Sequence, residues 1–188
     1  MPPKSNLTRE KIAETAFEIL RKDGYDALNA RYLAERLGTS TMPLFHYFEN
    51  MDEIKRVAVR LGIQKYDTYM EEGSKNELPF KGIGRAYIKF AKEEPELFKL
   101  LFMTATENVI GLPKEDKNTC IAIGFATAML NGNAEDGSRA LRNMWIVVHG
   151  IATLEATGKM SFSDDEISCI LSDIFQALKT NMIKEDER

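Results

Sequence analysis

The 188-residue sequence has few of the residues on which catalytic and metal sites depend: two cysteines, two histidines and one tryptophan. The two histidines, His46 and His149, are too few for a multi-histidine metal site, and neither lies in a nucleophile motif. The glycines of Lys81-Gly82-Ile83-Gly84 fit neither dinucleotide-binding nor Walker spacing. We therefore expect no metal, no cofactor and no enzymatic activity.

The scarcity of cysteines and of long apolar runs bears on where the protein is located in the cell. Cys120 and Cys169 lie far apart, each in an apolar stretch, which predicts buried free thiols in a reducing compartment. The N-terminal residues contain no apolar segment of a secretory signal. The uncharged run over residues 118–134 is interrupted by Asn131-Gly132-Asn133 and is marginal in length for a membrane span. These features predict a cytoplasmic protein that does not associate with a membrane.

Apolar and charged residues are abundant, at 44% and 29% of the chain, as in a globular protein with a real core. Residues 1–60 hold ten Lys or Arg against nine Asp or Glu, whereas the whole chain has a formal net charge of −4. A weakly cationic N-terminal part on an acidic remainder is consistent with a protein that presents one end to a polyanion.

Helical periodicity dominates the sequence, and no alternating stretch competes with it. Thr8 is predicted to cap a first helix that stops at Asp23-Gly24, and Asn50 to cap a long connecting helix. Residues 119–130 are apolar on nearly every side, which predicts a helix buried in the middle of a bundle. We expect an all-α fold, with an N-terminal three-helix domain over residues 1–52 and a C-terminal helical bundle over residues 53–188.

Residues 29–50 are the most informative stretch. Asn29 can cap a short helix, Gly38 permits a left-handed turn, and Ser40 can cap a second short helix that ends near Tyr47. Two short helices joined by a turn containing glycine can present one helix to the DNA major groove. On the pattern alone, two ordinary core helices of a bundle remain the alternative.

Several positions match one family pattern: Ile12 through Leu20, Gly24, Leu28, Arg31, Leu33-Ala34, Leu37-Gly38, Leu44-Phe45 and Tyr47-Phe48. Over residues 8–56 the chain resembles the DNA-binding domain of TetR-type transcriptional repressors. Trp145 and His149-Gly150 are similar to a Trp…His-Gly motif in the ligand-binding domain of one branch of that family. The chain departs from the pattern at Phe45, where the family usually has Tyr, and at Met51, where it usually has Lys.

The second short helix carries hydroxyls and an imidazole but no Lys or Arg. Such groups can donate to bases and phosphates, and Thr and Met carbons can contact a thymine methyl, whereas phosphate neutralisation must come from flanking basic residues. Leu44, Phe45 and Phe48 are predicted to face the core. The predicted DNA-binding residues are Lys4, Arg9, Asn29, Arg31, Thr39, Ser40, Thr41, Met42, His46, Tyr47 and Lys55.

Aromatic and methionine side chains are concentrated in the C-terminal part. They can repack around an apolar ligand between bundle helices, although the same stripe is typical of an ordinary core. The resemblance implies that a cavity exists somewhere in this part. The residues predicted to line it are Tyr66, Tyr87, Phe90, Phe98, Phe102, Met103, Phe125, Met129, Trp145 and His149.

The last two helices have apolar stripes wider than one neighbouring helix needs. Two such helices from each chain could close a four-helix interface, although both stripes could instead be used within one chain. A twofold dimer places two reading helices on one DNA face and predicts a pseudo-palindromic operator. The predicted interface residues are Met144, Val148, Ile151, Ile167, Ile170, Leu171, Ile174, Phe175 and Leu178.

The resemblance implies that residues 1–52 form a helix-turn-helix DNA-binding domain and residues 53–188 a ligand-binding and dimerisation domain. It further implies a homodimeric repressor that a small, largely apolar ligand releases from double-stranded operator DNA. A ligand-independent helical interaction or scaffold protein is one rival, and salt-sensitive binding to duplex DNA would distinguish it. A small helical enzyme that uses His149 is the other rival. Loss of a turnover on mutation of His149, with DNA binding intact, would favour that enzyme.

Overall fold

The structure is a computed structural model that describes residues 7–112, 116–130 and 134–186. These residues form eight α-helices and two short 3-10 helices, which confirms the predicted all-α class. The α-helices are α1 (Arg9–Asp23), α2 (Ala30–Arg36), α3 (Met51–Ser74), α4 (Pro79–Glu93), α5 (Pro95–Phe102), α6 (Lys117–Leu130), α7 (Ala134–Ala156) and α8 (Asp164–Asp186), and the 3-10 helices span Met42–His46 and Thr106–Asn108. None of the helices in these ranges is long and apolar enough to span a membrane.

The chain divides into two compact units. We call the first unit the head: it comprises the described residues up to Lys65 and from Glu94 to residue 112. We call the second unit the body: it comprises Tyr66–Glu93 and the described residues from 116 onward. The helix α3 contributes its first part to the head and its last part to the body. The predicted domain boundary at residue 52 stays a prediction.

Local capping starts the first two helices of the head where the sequence predicts. The backbone N–H of Lys11 donates to Thr8 Oγ1 at 3.2 Å, and the backbone N–H of Tyr32 donates to Asn29 Oδ1 at 3.0 Å. Both side chains satisfy a helix-terminal donor that would otherwise lack a partner. Gly38 has a φ of 65°, so the left-handed turn predicted after α2 is confirmed.

The second short helix of the motif differs from the prediction. It is a 3-10 helix, Met42–His46, preceded by Thr41 without a side-chain cap, so the predicted cap at Ser40 is wrong. An N-cap side chain accepts from the backbone N–H two or three residues later. Counted from Ser40, the third residue is Pro43, which has no N–H to donate.

The cap predicted at Asn50 is confirmed, and the last helix begins with a reciprocal cap between Ser163 and Glu166. At the start of α3, the Glu53 backbone N–H donates to Asn50 Oδ1 at 2.9 Å, while the Glu49 backbone N–H donates to Glu53 Oε2 at 2.7 Å. At the start of α8, the Ser163 backbone N–H donates to Glu166 Oε2 at 2.7 Å, and the Glu166 N–H donates back to Ser163 Oγ at 3.2 Å. These hydrogen bonds fix where the connecting helix and the last helix begin, and those at α8 form a capping box.

In the body, α7 packs against α4, α6 and α8. The helix α6 is not the central buried helix that its composition predicts. Small residues such as Ala122 and Ala126 face its neighbours, whereas Ile121 is 49% exposed on the other side. Cys120 and Cys169 are free but exposed, so the prediction that both thiols are buried is wrong. An all-round apolar sequence does not reveal which side of a helix has a neighbour.

Candidate nucleic-acid interface and ligand cavity

The 3-10 helix divides its side chains between the core of the head and the solvent. Leu44 and Phe48 are buried, as predicted, but Phe45 is 42% exposed, so its predicted inward orientation is wrong. A 3-10 helix has three residues per turn, which places Phe45 on the same edge as Met42. Met42 is 72% exposed. Two of the five residues of this helix, Met42 and Phe45, therefore present apolar side chains to solvent along one edge.

Arg9 and Tyr47, both predicted to bind DNA, are engaged within the head. The Arg9 guanidinium donates to the Tyr47 carbonyl and to Glu53 Oε1, and it lies 4.1 Å from the centre of the Phe48 ring. The Tyr47 hydroxyl donates to the Leu7 carbonyl at 2.7 Å. The hydrogen bond from Arg9 lowers the pKa of Glu53 below its ordinary value, so this carboxylate stays charged. Arg9 and Tyr47 thus brace the end of the 3-10 helix.

Two other predicted DNA-binding residues also have internal partners. Asn29 caps α2 and its Nδ2 donates to the Ala27 carbonyl at 3.1 Å. Lys55 Nζ lies 4.4 Å from the centre of the Tyr25 ring. Lys4 lies outside the described residues. The remaining predicted positions are exposed or half-buried: Arg31, Thr39, Ser40, Thr41, Met42 and His46.

The head also contains a buried carboxylate that the sequence does not predict. Glu94 is 2% exposed and accepts from Arg21 Nε at 2.5 Å and Arg21 Nη2 at 2.8 Å, and Lys65 Nζ lies 3.9 Å away. The hydrogen bonds to Glu94 raise the pKa of Arg21 above its ordinary value. This bidentate pair joins α1 to the residue immediately before α5.

The body contains a cavity of about 330 Å³ that is partly open to solvent. Tyr66, Tyr87 and Trp145, three of the predicted ligand-binding residues, line it. Most of the remaining wall is apolar and comes from α3, α4, α6 and α7, including Met70, Phe80, Ile83, Ala122, Leu141 and Val148. The cavity therefore lies among helices of the body, where bundles usually hold small ligands.

One part of the cavity wall is polar and was missed by sequence reasoning. The Tyr66 hydroxyl donates to Asp116 Oδ2 at 2.9 Å, and the Asn118 backbone N–H donates to Asp116 Oδ1 at 2.9 Å. Burial, followed by the nearby Asp116 charge, raises the pKa of Tyr66 well above its ordinary value, so Tyr66 remains a donor at neutral pH. Arg142 also lines the cavity. A ligand here meets an apolar wall with a few polar groups.

His149 is next to two lining residues. Its Nδ1 lies 3.0 Å from the Tyr87 hydroxyl, and its ring stacks on Trp145 with centroids 4.7 Å apart. Burial lowers the pKa of His149, so its neutral form dominates at pH 7. Tyr87 and Trp145 thus hold the imidazole in one orientation against the cavity wall.

Two family models match the chain. Residues 12–64 match the tetR family of bacterial regulatory proteins, and residues 80–171 match the tetracyclin repressor-like C-terminal domain. The chain belongs to the TetR family. It is a DNA-binding transcriptional regulator, with the helix-turn-helix in the head and the cavity in the body.

Individual relatives agree with this assignment. An uncharacterized helix-turn-helix-type transcriptional regulator of Mycobacterium tuberculosis, Rv0681, is 26% identical over 187 residues, which is 95% of this chain and 83% of that protein. A transcriptional regulator from Rhodococcus sp. Rha1 has a similar fold, with 15% identity, a TM-score of 0.58 and coverage of 93% and 97% of the two chains. A TetR variant from Acinetobacter baumannii AYE in complex with minocycline has 16% identity, a TM-score of 0.51 and coverage of 95% and 98%.

This TetR-family chain does not bring all the predicted ligand-binding residues to the cavity. Phe90 is fully buried against Tyr66 and Tyr69, with ring centroids 5.3 Å apart in both pairs. Met129 lines a second cavity of about 240 Å³ in the body, and Phe125 lines neither of the two. Three predicted residues belong to the head instead: Phe98, Phe102 and Met103.

The predicted dimer residues also fall into two groups. Five are buried within the protomer, because α4, α7 and α8 pack on one another through them: Met144, Val148, Ile151, Ile167 and Leu171. The other four are half-buried on α8: Ile170, Ile174, Phe175 and Leu178. The second group is the part of the predicted stripe that remains available to another chain, and the interface itself stays a prediction.

Proposed function

We propose that this regulator is a homodimeric repressor that leaves a pseudo-palindromic operator when a small, largely apolar ligand occupies the body cavity. The observation that supports this proposal is the cavity of about 330 Å³, with its apolar wall and the polar group Asp116. Its volume falls within the range of protein sites for small molecules, roughly 300–1,000 Å³. We expect the apolar part of the ligand to contact Trp145 and a polar group to contact Asp116.

The helix α3 provides a physical route from ligand to DNA. Tyr66 and Met70 on its last part line the cavity, whereas Ile54 and Ala58 on its first part are buried in the head. A ligand that binds more tightly when α3 is displaced will favour that state. The equilibrium shifts only by the difference in affinity between the two states, so tight binding alone does not release DNA.

The symmetry of the operator follows from the proposed dimer. A twofold axis places two identical heads on DNA, and each head reads one half-site in the opposite direction. The half-buried apolar residues Ile170, Ile174 and Leu178 recur every four residues along α8, which suits packing against the same helix of a second chain. Size-exclusion chromatography with light scattering should give the mass of a dimer.

Trp145 makes ligand binding directly measurable. It is the single tryptophan of the chain and lines the cavity, so its fluorescence should change when a ligand binds. Apolar compounds identified by that change should release the protein from duplexes selected from a random pool. Absence of salt-sensitive DNA binding would contradict the repressor and favour the scaffold protein.

A matched pair of variants on α6 separates ligand binding from folding. Ala122→Leu places a larger side chain in the cavity, whereas Ala128→Leu makes the same change at an exposed position. We expect Ala122→Leu to weaken ligand binding by about tenfold or more, because lost contacts and steric conflict should cost about 1.4 kcal/mol or more of binding free energy. Operator binding should be retained. If both variants respond to ligand like the wild type, this cavity is not the effector site.

A further inference from the structure

The reading end of the head has an exposed apolar ridge. Between residues 7 and 65, the large apolar side chains that remain exposed are Met42, Phe45 and Tyr47. In a 3-10 helix, side chains three residues apart eclipse one another, so Met42 and Phe45 lie along one edge. Tyr47 follows the helix, and its hydroxyl is engaged with the Leu7 carbonyl. We call Met42 and Phe45 the apolar ridge.

The 3-10 helix lacks the usual side chain for bidentate guanine recognition. The 3-10 helix contains no Lys or Arg, so it lacks the bidentate donor that commonly binds guanine O6 and N7. The nearby Arg9 guanidinium is engaged with the Tyr47 carbonyl and Glu53, and the Tyr47 hydroxyl with the Leu7 carbonyl. The ridge itself therefore offers carbon surface to a base pair, while the exposed Thr41 and His46 beside it can supply single polar contacts.

We propose that Met42 and Phe45 read the 5-methyl group of thymine in the major groove of each operator half-site. That methyl is the apolar group that base pairs present in this groove, and it distinguishes T·A from the other pairs. Contact with the ridge removes the methyl and two exposed side chains from water together. The inference rests on the operator binding proposed above and adds one chemical group that contributes to sequence preference.

The test removes the methyl from DNA without altering base pairing. Duplexes are selected from a random pool, and each recurrent thymine is then replaced by deoxyuridine. At thymines that contact the ridge, we expect affinity to fall about three- to fivefold for each methyl, as for one apolar carbon returned to water. Replacement by 5-bromodeoxyuridine should restore affinity, because bromine occupies nearly the volume of the methyl.

Variants of the ridge identify the side chains responsible. In Met42→Ala or Phe45→Ala, deoxyuridine and thymine should bind equally at the position that the missing side chain contacts. Both residues are exposed, so these variants should fold, and thermal unfolding can check this. Met160→Ala removes an equally flexible exposed side chain from the body and should retain the full preference for thymine.

The outcomes separate this inference from the function on which it depends. If no duplex is retained, operator binding is wrong and the inference fails with it. If duplexes are retained but no thymine is sensitive to loss of its methyl, the inference alone is wrong. It is equally wrong if methyl sensitivity persists unchanged in both ridge variants.

Discussion

In the head, the side chains that stabilise the fold also position the helix-turn-helix motif. Arg9 connects the carbonyl of Tyr47 to Glu53, and Glu53 also caps α3. In the body, close helix packing and an open cavity occur side by side, and Tyr66 contributes to both the wall and its polar group. The stability of the head should therefore depend on single polar partners, whereas that of the body should depend on the volume of the side chains between its helices.

The largest effect should come from the buried ion pair of the head. Arg21→Met leaves the Glu94 carboxylate buried without its bidentate partner, and we expect a loss of about 3 kcal/mol of unfolding free energy. This is the lower end of the usual range, because Arg21 is partly exposed. Urea denaturation measures the loss. Lys22→Met is the control, because it removes an exposed charge from the same helix. Equal stability of the two variants would show that the head does not depend on this pair.

The next largest loss of stability should come from adding a side chain where two helices of the body lie close together. A Cβ at Gly82 would lie 2.1 Å from the Gly73 carbonyl oxygen, so Gly82→Ala must push α3 and α4 apart. We expect a loss of about 2 kcal/mol, typical of overpacking. At Gly84 the nearest atom would be 3.5 Å away, so Gly84→Ala should instead stabilise the helix by about 0.5–1 kcal/mol. Thermal unfolding of both variants compares them directly, and a tolerated Gly82→Ala would contradict the close approach.

Two substitutions in the reading motif should affect DNA binding in different ways. Thr41 is exposed before the 3-10 helix, and Thr41→Ala should relax preference at particular bases, by about 1 kcal/mol at each affected position. Tyr47→Phe removes the hydrogen bond to Leu7 and should weaken binding to all sequences about equally. Selecting duplexes from a random pool with each variant gives its base preference at every operator position. Uniform effects from both substitutions would mean that the reading helix is misplaced.

The smallest effect concerns the pH dependence of stability. Burial lowers the pKa of His149 below its ordinary value of 6.5, so the unfolded chain takes up a proton at higher pH than the folded chain. Stability should therefore decline as the pH falls below 6.5, until His149 is protonated in the folded state as well. Unfolding midpoints between about pH 5 and pH 8 measure this decline. His149→Gln should reduce it, whereas His46→Gln, at the exposed histidine, should not; the reverse result would contradict the assignment.

The parts of the fold that could be predicted are those fixed by near neighbours in sequence. Thr8, Asn29 and Asn50 cap helices through backbone groups three residues away, so their roles are visible in any short window. Phe45 was predicted wrongly because its orientation depends on a 3-10 rather than an α-helical turn. Gly38 was predicted correctly because only the local turn decides its conformation.

The polar pairs in the cavity wall and in the head could not be predicted, because their partners lie far apart in the sequence. Asp116 meets Tyr66 across 50 positions, and Glu94 meets Arg21 across 73 positions. Neither pairing has a sequence signal, since each carboxylate lies in an ordinary polar stretch. Trp145 was assigned to the cavity through a family resemblance, which contains long-range information that periodicity lacks.

The membership of α5 in the head has a consequence for exchanging reading specificities between regulators. A chimera that joins this chain to another body directly after Lys65 would transfer Arg21 without Glu94. Its reading motif would be complete in sequence but would lack the carboxylate that neutralises a partly buried guanidinium. The transferable unit is discontinuous, and a functional graft must also include Glu94 and the segment up to residue 112.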